Sequence, residues 1–177
     1  MEFSDLVKRR QSTRKYLSQR VEKEKLQQCL ESARLSPSAN NGQPWKFVVV
    51  DDPELKEQIA KSAAGLGMNK FTHEAPVLVA VILEKMKLAS FLGSVIQDKE
   101  YPLLDIGIAV NQFCLQATDL GLGTCIIGWF DEKAIKKILH IDKDKRVPLL
   151  ISVGYSDASI KTKIRKPIEK MSSWNGY

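Results

Sequence analysis

One segment, residues 103–120, constrains the fold of this chain more than any other. Leu104, Ile108 and Leu115 lie on one face of a helix with about 3.6 residues per turn. The other apolar residues of the segment share a second face: Ile106, Val110, Phe113, Ala117 and Leu120. A helix that is apolar nearly all round must be buried nearly all round. We therefore predict a helix at the centre of the protein, or one shared with a second subunit.

The rest of the chain alternates between helix and strand patterns. With 177 residues and no repeat, low-complexity tract or linker, it fits a single domain. The further helices predicted are a short one ending near residue 10 and capped by Ser4 or Asp5, then 21–35, one beginning at Pro53, and 131–139, with Asp131 as N-cap. The predicted strands are 46–50, 76–83, 124–128 and 147–155. This interleaving favours an α/β or α+β fold, in which 76–83 is a strand buried on both faces.

The composition limits the class of protein. Three cysteines without a C-x-x-C spacing and two isolated histidines favour neither a disulfide framework nor a metal site, so we expect no metal. The longest apolar run, 75–83, is too short to span a membrane, and residues 1–10 contain no secretory core. The sequence therefore predicts a soluble protein of a reducing compartment, the cytoplasm, with no membrane partner.

Basic residues gather at both ends of the chain. The net charge is +6; residues 1–34 hold nine basic and five acidic side chains, and residues 155–177 hold five and two. This distribution fits a phosphate-bearing ligand gripped by both ends, a nucleic-acid surface, or ordinary solvated helix faces. Aromatic residues, 7% of the chain, do not interleave with the basic clusters, so we expect no nucleic-acid partner.

Common nucleotide and hydrolase motifs are missing from the sequence. The stretches 65–67 and 121–123 begin like a dinucleotide fingerprint, but Lys70 and Ile126 stand at its sixth position. Neither a G-x-x-x-x-G-K-[ST] nor a G-x-S-x-G pattern is present.

Two polar stretches carry more chemical information. Residues 8–16 place three arginines and a serine within six positions, and these groups can bind phosphate oxygens. Residues 36–45 form a stiff loop of turn formers with amide and hydroxyl side chains that leads into a strand.

Four stretches, in the right order, resemble motifs of one family. Arg9–Tyr16 resembles R-R-x-S-x-R/K-x-F/Y, and Pro37–Trp45 resembles P-S-x-x-N-x-Q-P-W. Asp105–Ala117 with Gly121–Gly128 resembles a central helix and the strand that follows it, and Arg165–Glu169 a C-terminal phosphate-binding element. On these motifs the chain resembles the nitroreductase family of FMN-dependent oxidoreductases.

The resemblance implies a three-layer sandwich with a central mixed sheet, and a homodimer with FMN at the subunit interface. It implies that Arg10, Ser12 and Arg165 bind the FMN phosphate. It also implies that Arg14 reaches flavin N1 and O2, where reduction leaves negative charge. The other implied cofactor-binding residues are Arg9, Gln11, Pro37, Ser38, Ala39, Asn41, Asn69, Ile127 and Gly128.

Some of these residues have more specific implied roles. Gln11 contacts the flavin edge, and the loop at 37–41 comes from the other subunit or flanks the ring. Gly128 offers its backbone N–H to flavin N5 or O4, since a glycine lets the backbone approach closely. Ile127 stands where family members often carry a glutamate. The tail, residues 156–177, is expected to pack on the partner subunit.

The implied activity uses no protein nucleophile, so no catalytic residue is expected apart from the tuning role of Arg14. NADH or NADPH transfers a hydride to flavin N5, and a nitroaromatic, quinone or similar acceptor then takes it, with ping-pong kinetics. Three alternatives stay open: a flavin-binding redox sensor with little turnover, another flavin enzyme of this scaffold such as a dehalogenase-like one, and a basic nucleic-acid-binding module.

Overall fold

The computed structural model describes residues 1–84 and 100–177. Within these residues the α-helices are α1 (Phe3–Arg9), α2 (Lys23–Arg34), α3 (Pro53–Ala63), α4 (Tyr101–Asp119) and α5 (Glu132–Ile138). The strands are β1 (Trp45–Val50), β2 (Val77–Leu83), β3 (Gly123–Ile127) and β4 (Arg146–Gly154). Short 3₁₀ turns occur at Ala39–Asn41, Gly65–Gly67, Lys70–His73 and Ile168–Lys170.

Strand β2 lies inside the sheet, whose order is β1-β2-β4-β3 with every neighbouring pair antiparallel. Its odd-numbered residues, from Val77 to Val81, belong to a core with α2 and α4. Its even-numbered residues, from Leu78 to Ile82, belong to a second core with α3 and α5. The predicted burial of this strand on both faces is confirmed, because each face is covered by helices.

Helices on both faces of one sheet make three layers, so the predicted α+β sandwich is confirmed. The named strands pair only in the antiparallel sense. In the described residues, the parallel component of the predicted mixed sheet is a single isolated bridge between Ser12 and Thr124.

Helix α4 is central, as its sequence predicts, but the single chain covers only one of its faces. Val110, Phe113 and Ala117 are fully buried in the core shared with α2. Leu104 and Ile108, on the other face, are 59% and 41% exposed. If a second subunit shares this helix, as its sequence allows, it contacts the exposed face.

Of the two helix N-caps predicted from the sequence, one is confirmed and one is wrong. Asp131 is confirmed as the N-cap of α5, because its carboxylate accepts a hydrogen bond from the Ala134 backbone N–H at 3.0 Å. The predicted cap of α1 is wrong. That helix already begins at Phe3, so Ser4 and Asp5 lie inside its first turn.

The N-terminal arm, which we define as residues 10–16, extends the sheet beyond β3. The Thr13 backbone N–H donates to the Thr124 carbonyl at 2.8 Å. The buried Tyr16 hydroxyl donates to the Thr13 carbonyl at 2.8 Å and lies 2.7 Å from Ser152 Oγ. Burial raises the pKa of Tyr16 far above its usual range, so the hydroxyl keeps its proton. The arm is thereby fixed along the edge of the sheet.

We predict that Gly123→Ala displaces this arm. A Cβ added at Gly123 would lie 2.6 Å from Thr13 Oγ1, and buried Thr13 cannot move without losing its bond to Thr124. Overpacking of this kind typically lowers the free energy of unfolding by about 1–3 kcal/mol, which urea denaturation measures. The control is Gly65→Ala, where an added Cβ meets nothing within 4 Å. Equal losses in both variants would contradict the close approach.

Candidate functional site

A cavity of about 550 Å³ opens between the N-terminal arm and the first part of the tail. This size lies within the range of small-molecule and cofactor sites. Its walls combine two segments from opposite ends of the chain: Arg10, Gln11, Ser12, Thr13, Arg14 and Lys15, with Ala158, Ser159, Lys161, Thr162, Lys163, Ile164 and Arg165. The predicted meeting of basic residues from the two ends is therefore present in the described chain.

The lining of this cavity is strongly positive. Six of its residues are basic and none is acidic: Arg10, Arg14, Lys15, Lys161, Lys163 and Arg165. Partial burial lowers the pKa of Lys163, and the nearby positive charges of Arg10 and Arg165 lower it further. An anion between these three side chains would relieve their mutual repulsion. The cavity is therefore suited to a phosphate-bearing ligand.

Gln11 closes the cavity by holding the tail against the arm. Its Nε2 donates to the Ser159 carbonyl at 3.2 Å, and its Oε1 accepts from the Lys161 backbone N–H at 3.0 Å. Lys163 adds a second link, since its Nζ donates to the Val7 carbonyl at 2.8 Å and to the Lys8 carbonyl. Both polar ends of the Gln11 amide thus bind the protein's own backbone.

Arg14 and Arg9 occupy different positions around the arm. The Arg14 guanidinium lies 5.9 Å from the centroid of the Phe71 ring, at the outer range of a cation–π contact. Arg14 also lines the cavity, so the contact with Phe71 lies at the cavity wall. Arg9 lines a smaller adjacent cavity of about 140 Å³, which it shares with Gln11.

The end of β3 brings three of the predicted residues together. Ile127 is buried in the second core, so its side chain points away from solvent, and Gly128 is exposed. Asn69 Nδ2 donates to the carbonyl of Trp129 at 2.8 Å and to that of Ala63 at 3.3 Å. Asn69 therefore lies next to Gly128 and ties this strand end to α3.

The loop at 37–41 lies apart from the cavity within one chain, because none of its residues lines the arm–tail space. It is attached instead to α4. Both carboxylate oxygens of Asp105 lie 3.2 Å from the Ala39 backbone nitrogen, which donates to them. The structure therefore brings together the predicted residues of the arm and of the first part of the tail. The β3 end with Asn69 forms a second group outside the cavity lining, and this loop lies on another surface.

Cys125 lies next to the arm, but its environment favours an inert thiol. All three cysteines, Cys29, Cys114 and Cys125, are free and buried. Burial raises the pKa of Cys125, although Arg14, the Ser12 hydroxyl and Arg10 oppose that rise. A protonated, buried thiol is a poor nucleophile.

Three residues that make contacts in this region are not among the predicted site residues: Lys163, Phe71 and Asp105. The basic run at 161–166 is a signal that could have indicated Lys163. Nothing in the sequence indicates that Phe71 lies beside Arg14, or that Asp105 reaches Ala39, since these pairs are distant along the chain.

Two features are absent from residues 1–84 and 100–177. No helix in them is long and apolar enough to cross a membrane. They also hold no group of three or more histidine, cysteine, aspartate or glutamate side chains placed to bind a metal ion.

Comparison with known proteins gives one consistent result. A family model described as the nitroreductase family matches residues 7–155. The oxygen-insensitive NADPH nitroreductase of Helicobacter pylori is 31% identical over 210 aligned residues, covering 98% of this chain and 100% of that protein. An iodotyrosine deiodinase of Thermotoga neapolitana is 27% identical over 163, covering 86% and 88%. The solved FMN-dependent nitroreductase of Clostridium difficile has a TM-score of 0.81 and 30% identity, covering 97% and 98%.

We predict that Gln11→Ala loosens the tail on the arm, because both hydrogen bonds of the amide are lost while those of Lys163 and the Lys15–Asp157 ion pair remain. The expected result is cleavage by trypsin after Lys161 and Lys163 at least several-fold faster than in the wild type, measured by mass spectrometry of the fragments. Gln27→Ala, at an exposed position of α2, is the control. Cleavage rates that stay equal in all three proteins would contradict the role of Gln11 in holding the tail.

Proposed function

The chain belongs to the nitroreductase family, and from this premise we propose that it is an FMN-dependent oxidoreductase using NADH or NADPH. When bound, FMN supplies the redox chemistry, accepting a hydride at N5 and passing it to a nitroaromatic, quinone or similar acceptor. The observation that carries the proposal is the cavity lined by six basic side chains and no acidic one.

The donor set of the cavity fits the FMN phosphate. Arg10 and Arg165 come from opposite ends of the chain. Each guanidinium group can bind two phosphate oxygens at once, in a bidentate arrangement. Ser12 adds a hydroxyl donor on the same wall. Lys163 adds a further cation near both arginines; besides partial burial, their positive charges lower its pKa. We assign these four residues to the phosphate.

The protein's part in the reaction is to bind, orient and tune. We assign Arg14 to the N1 and O2 side of the ring, where a fixed positive charge stabilises the charge left by reduction. Exposed Gly128 offers its backbone N–H at the end of β3, next to Asn69. Because the Ile127 side chain is buried in the core, only the backbone of Ile127 is available to the flavin. Gln11 is assigned to closing the tail over the arm rather than to the flavin edge.

We further propose that the active unit is a homodimer. The exposed face of α4, with Leu104 and Ile108, is one apolar surface that a second chain would cover. The tail carries exposed apolar side chains as well: Ile160, Ile164, Ile168, Met171 and Trp174. Covering such a surface removes apolar area from water. In this arrangement the loop at 37–41 of one subunit reaches the flavin of the other.

The main alternative is another flavin enzyme on the same scaffold. The similarity to an iodotyrosine deiodinase supports it, because that relative aligns over most of both chains. A flavin-binding redox sensor would share the cavity but turn over slowly. A nucleic-acid module would instead bind DNA in a strongly salt-dependent way.

The purified protein provides the direct test. We expect the absorption bands of oxidised FMN, confirmed by identifying the released cofactor, and rapid bleaching when NADH or NADPH is added without oxygen. Parallel double-reciprocal plots with a quinone acceptor would establish ping-pong turnover. Bound FMN that bleaches slowly would favour the redox sensor, and colourless protein that cannot be reconstituted with FMN would contradict the proposal.

Arg14→Ala should slow flavin reduction by roughly tenfold, because the charge that develops on the ring loses its fixed counter-charge. Anaerobic stopped-flow mixing with NADH measures the rate, and fluorescence titration measures FMN affinity separately. Arg20→Ala, at an exposed basic position outside the cavity lining, is the control. An Arg14→Ala protein with wild-type reduction rate and affinity would contradict the assignment.

Ile108→Glu should produce a monomer that retains its fold but loses FMN, because a charge on the exposed face of α4 opposes burial against a second chain. Light scattering gives the mass, and circular dichroism checks the fold. Leu17→Glu is the control, since Leu17 is exposed to a similar degree, 38% against 41%, but is not on α4. A dimeric Ile108→Glu protein would contradict the proposed interface.

A further inference from the structure

The loop at 36–43 carries two unusual features. Asn40, Asn41 and Gln43 all have positive φ, at 52°, 51° and 47°. The hydroxyl of Ser36, where the loop begins, is buried without a hydrogen-bond partner in the part of the chain that the structure describes. Both features cost free energy, and such costs cluster at functional positions, where the surrounding structure enforces them.

Hydrogen bonds inside the loop explain part of this conformation. The Gln43 backbone N–H donates to Ser38 Oγ at 3.0 Å, and Gln43 Nε2 donates to Asn41 Oδ1 at 2.9 Å. The Asn41 backbone N–H closes a turn on the Ser38 carbonyl at 3.0 Å. These bonds fix the internal shape of the loop, but they do not fix where the loop lies on the protein.

The attachment of the loop to the protein comes from α4. Asp105 has both carboxylate oxygens 3.2 Å from the Ala39 nitrogen. Only 7% of Asp105 is exposed, and its neighbours Ile106, Ala109 and Val110 are buried apolar residues. A carboxylate is an expensive group to bury, so its presence here calls for a specific interaction. A hydrogen bond from a backbone N–H to a charged acceptor is stronger than one between neutral groups.

We propose that Asp105 is a positioning residue, which holds the loop at 37–41 in the place where it meets the flavin of the partner subunit. This inference rests on the proposed function. Asp105 lies three residues before exposed Ile108, and residues three apart are neighbours on a helix surface, so the anchored loop borders the exposed face of α4. Whatever fixes the loop on α4 also fixes it relative to a subunit docked on that helix.

Two substitutions remove the bond from opposite sides. Asp105→Leu has a similar volume and removes the acceptor. Ala39→Pro removes the donor. Proline is compatible with this position because Ala39 is the first residue of a 3₁₀ turn. Ser38 before it is extended, at φ −148° and ψ 154°, as a residue that precedes proline prefers. Asp105→Asn keeps one acceptor oxygen and is the conservative variant. Asp119→Asn, on the same helix but exposed, is the control.

The first measurement is hydrogen exchange of the loop peptide in each variant without flavin. We expect exchange at 36–43 to become roughly tenfold faster in Asp105→Leu, with little change in β2 and β4. In Asp105→Asn the exchange rate of the loop should lie close to that of the wild type. If Asp105→Leu does not fold, Ala39→Pro provides the same comparison. Unchanged loop exchange in the folded variant would overturn the anchor.

The second measurement is FMN affinity of the dimer, by fluorescence titration. We expect the dissociation constant to rise about tenfold in Asp105→Leu and in Ala39→Pro, with no further rise in the double variant, because both remove one interaction. Asp105→Asn and Asp119→Asn stay close to the wild type. A loosened loop with wild-type FMN affinity would overturn the positioning role. Failure of the wild type itself to bind FMN would instead overturn the proposed function, which the exchange experiment does not use.

Discussion

The close approach of the N-terminal arm to Gly123 is the constraint on which the candidate site depends. Since residue 123 has no side chain, the Thr13 backbone can reach the Thr124 carbonyl at 2.8 Å. That bond aligns the arm with β3, so Ser12 and Arg14 follow the edge of the sheet. The tail is then held on the arm through Gln11. Gly123 therefore allows the arm to take its position, and the arm in turn holds the tail. Both walls of the cavity depend on the absence of a side chain at residue 123.

The positive charges that line the cavity repel each other, whereas the hydrogen bonds between arm and tail hold its walls together. Six basic side chains around one space repel each other, and the lowered pKa of Lys163 is one expression of that cost. The links from Gln11 and Lys163 are hydrogen bonds to backbone groups and do not neutralise charge. The Lys15–Asp157 ion pair, at 3.0 Å between arm and tail, offsets one of the six charges. A phosphate between the walls would turn the repulsion into attraction. On the proposed function, closing the tail and binding the cofactor are therefore coupled.

The parts of the fold that depend on local patterns could be predicted, and those that depend on distant contacts could not. The continuous apolar run of β2 and the Asp131 cap depend on neighbouring residues, so their sequence signals are direct. The charge distribution allows a ligand held by both chain ends as one of three interpretations, and only the family resemblance names Arg10 and Arg165 as the pair. Asp105 reaches Ala39 across 66 positions, and no spacing rule covers such a pair. A buried aspartate within an apolar helix is nevertheless a visible anomaly, and it marks the position that needed explanation.

The separation of the loop at 37–41 from the cavity gives the apolar character of α4 a physical reason. Asp105 attaches the loop to α4 one turn before exposed Ile108, and the loop does not line the arm–tail cavity. If this loop contacts a flavin, the flavin belongs to another chain docked on the same surface. One face of α4 is then required by the chain's own core and the other by the docked subunit. A helix with both duties needs apolar side chains on both faces, as α4 has at Val110 and Phe113 on one face and at Leu104 and Ile108 on the other.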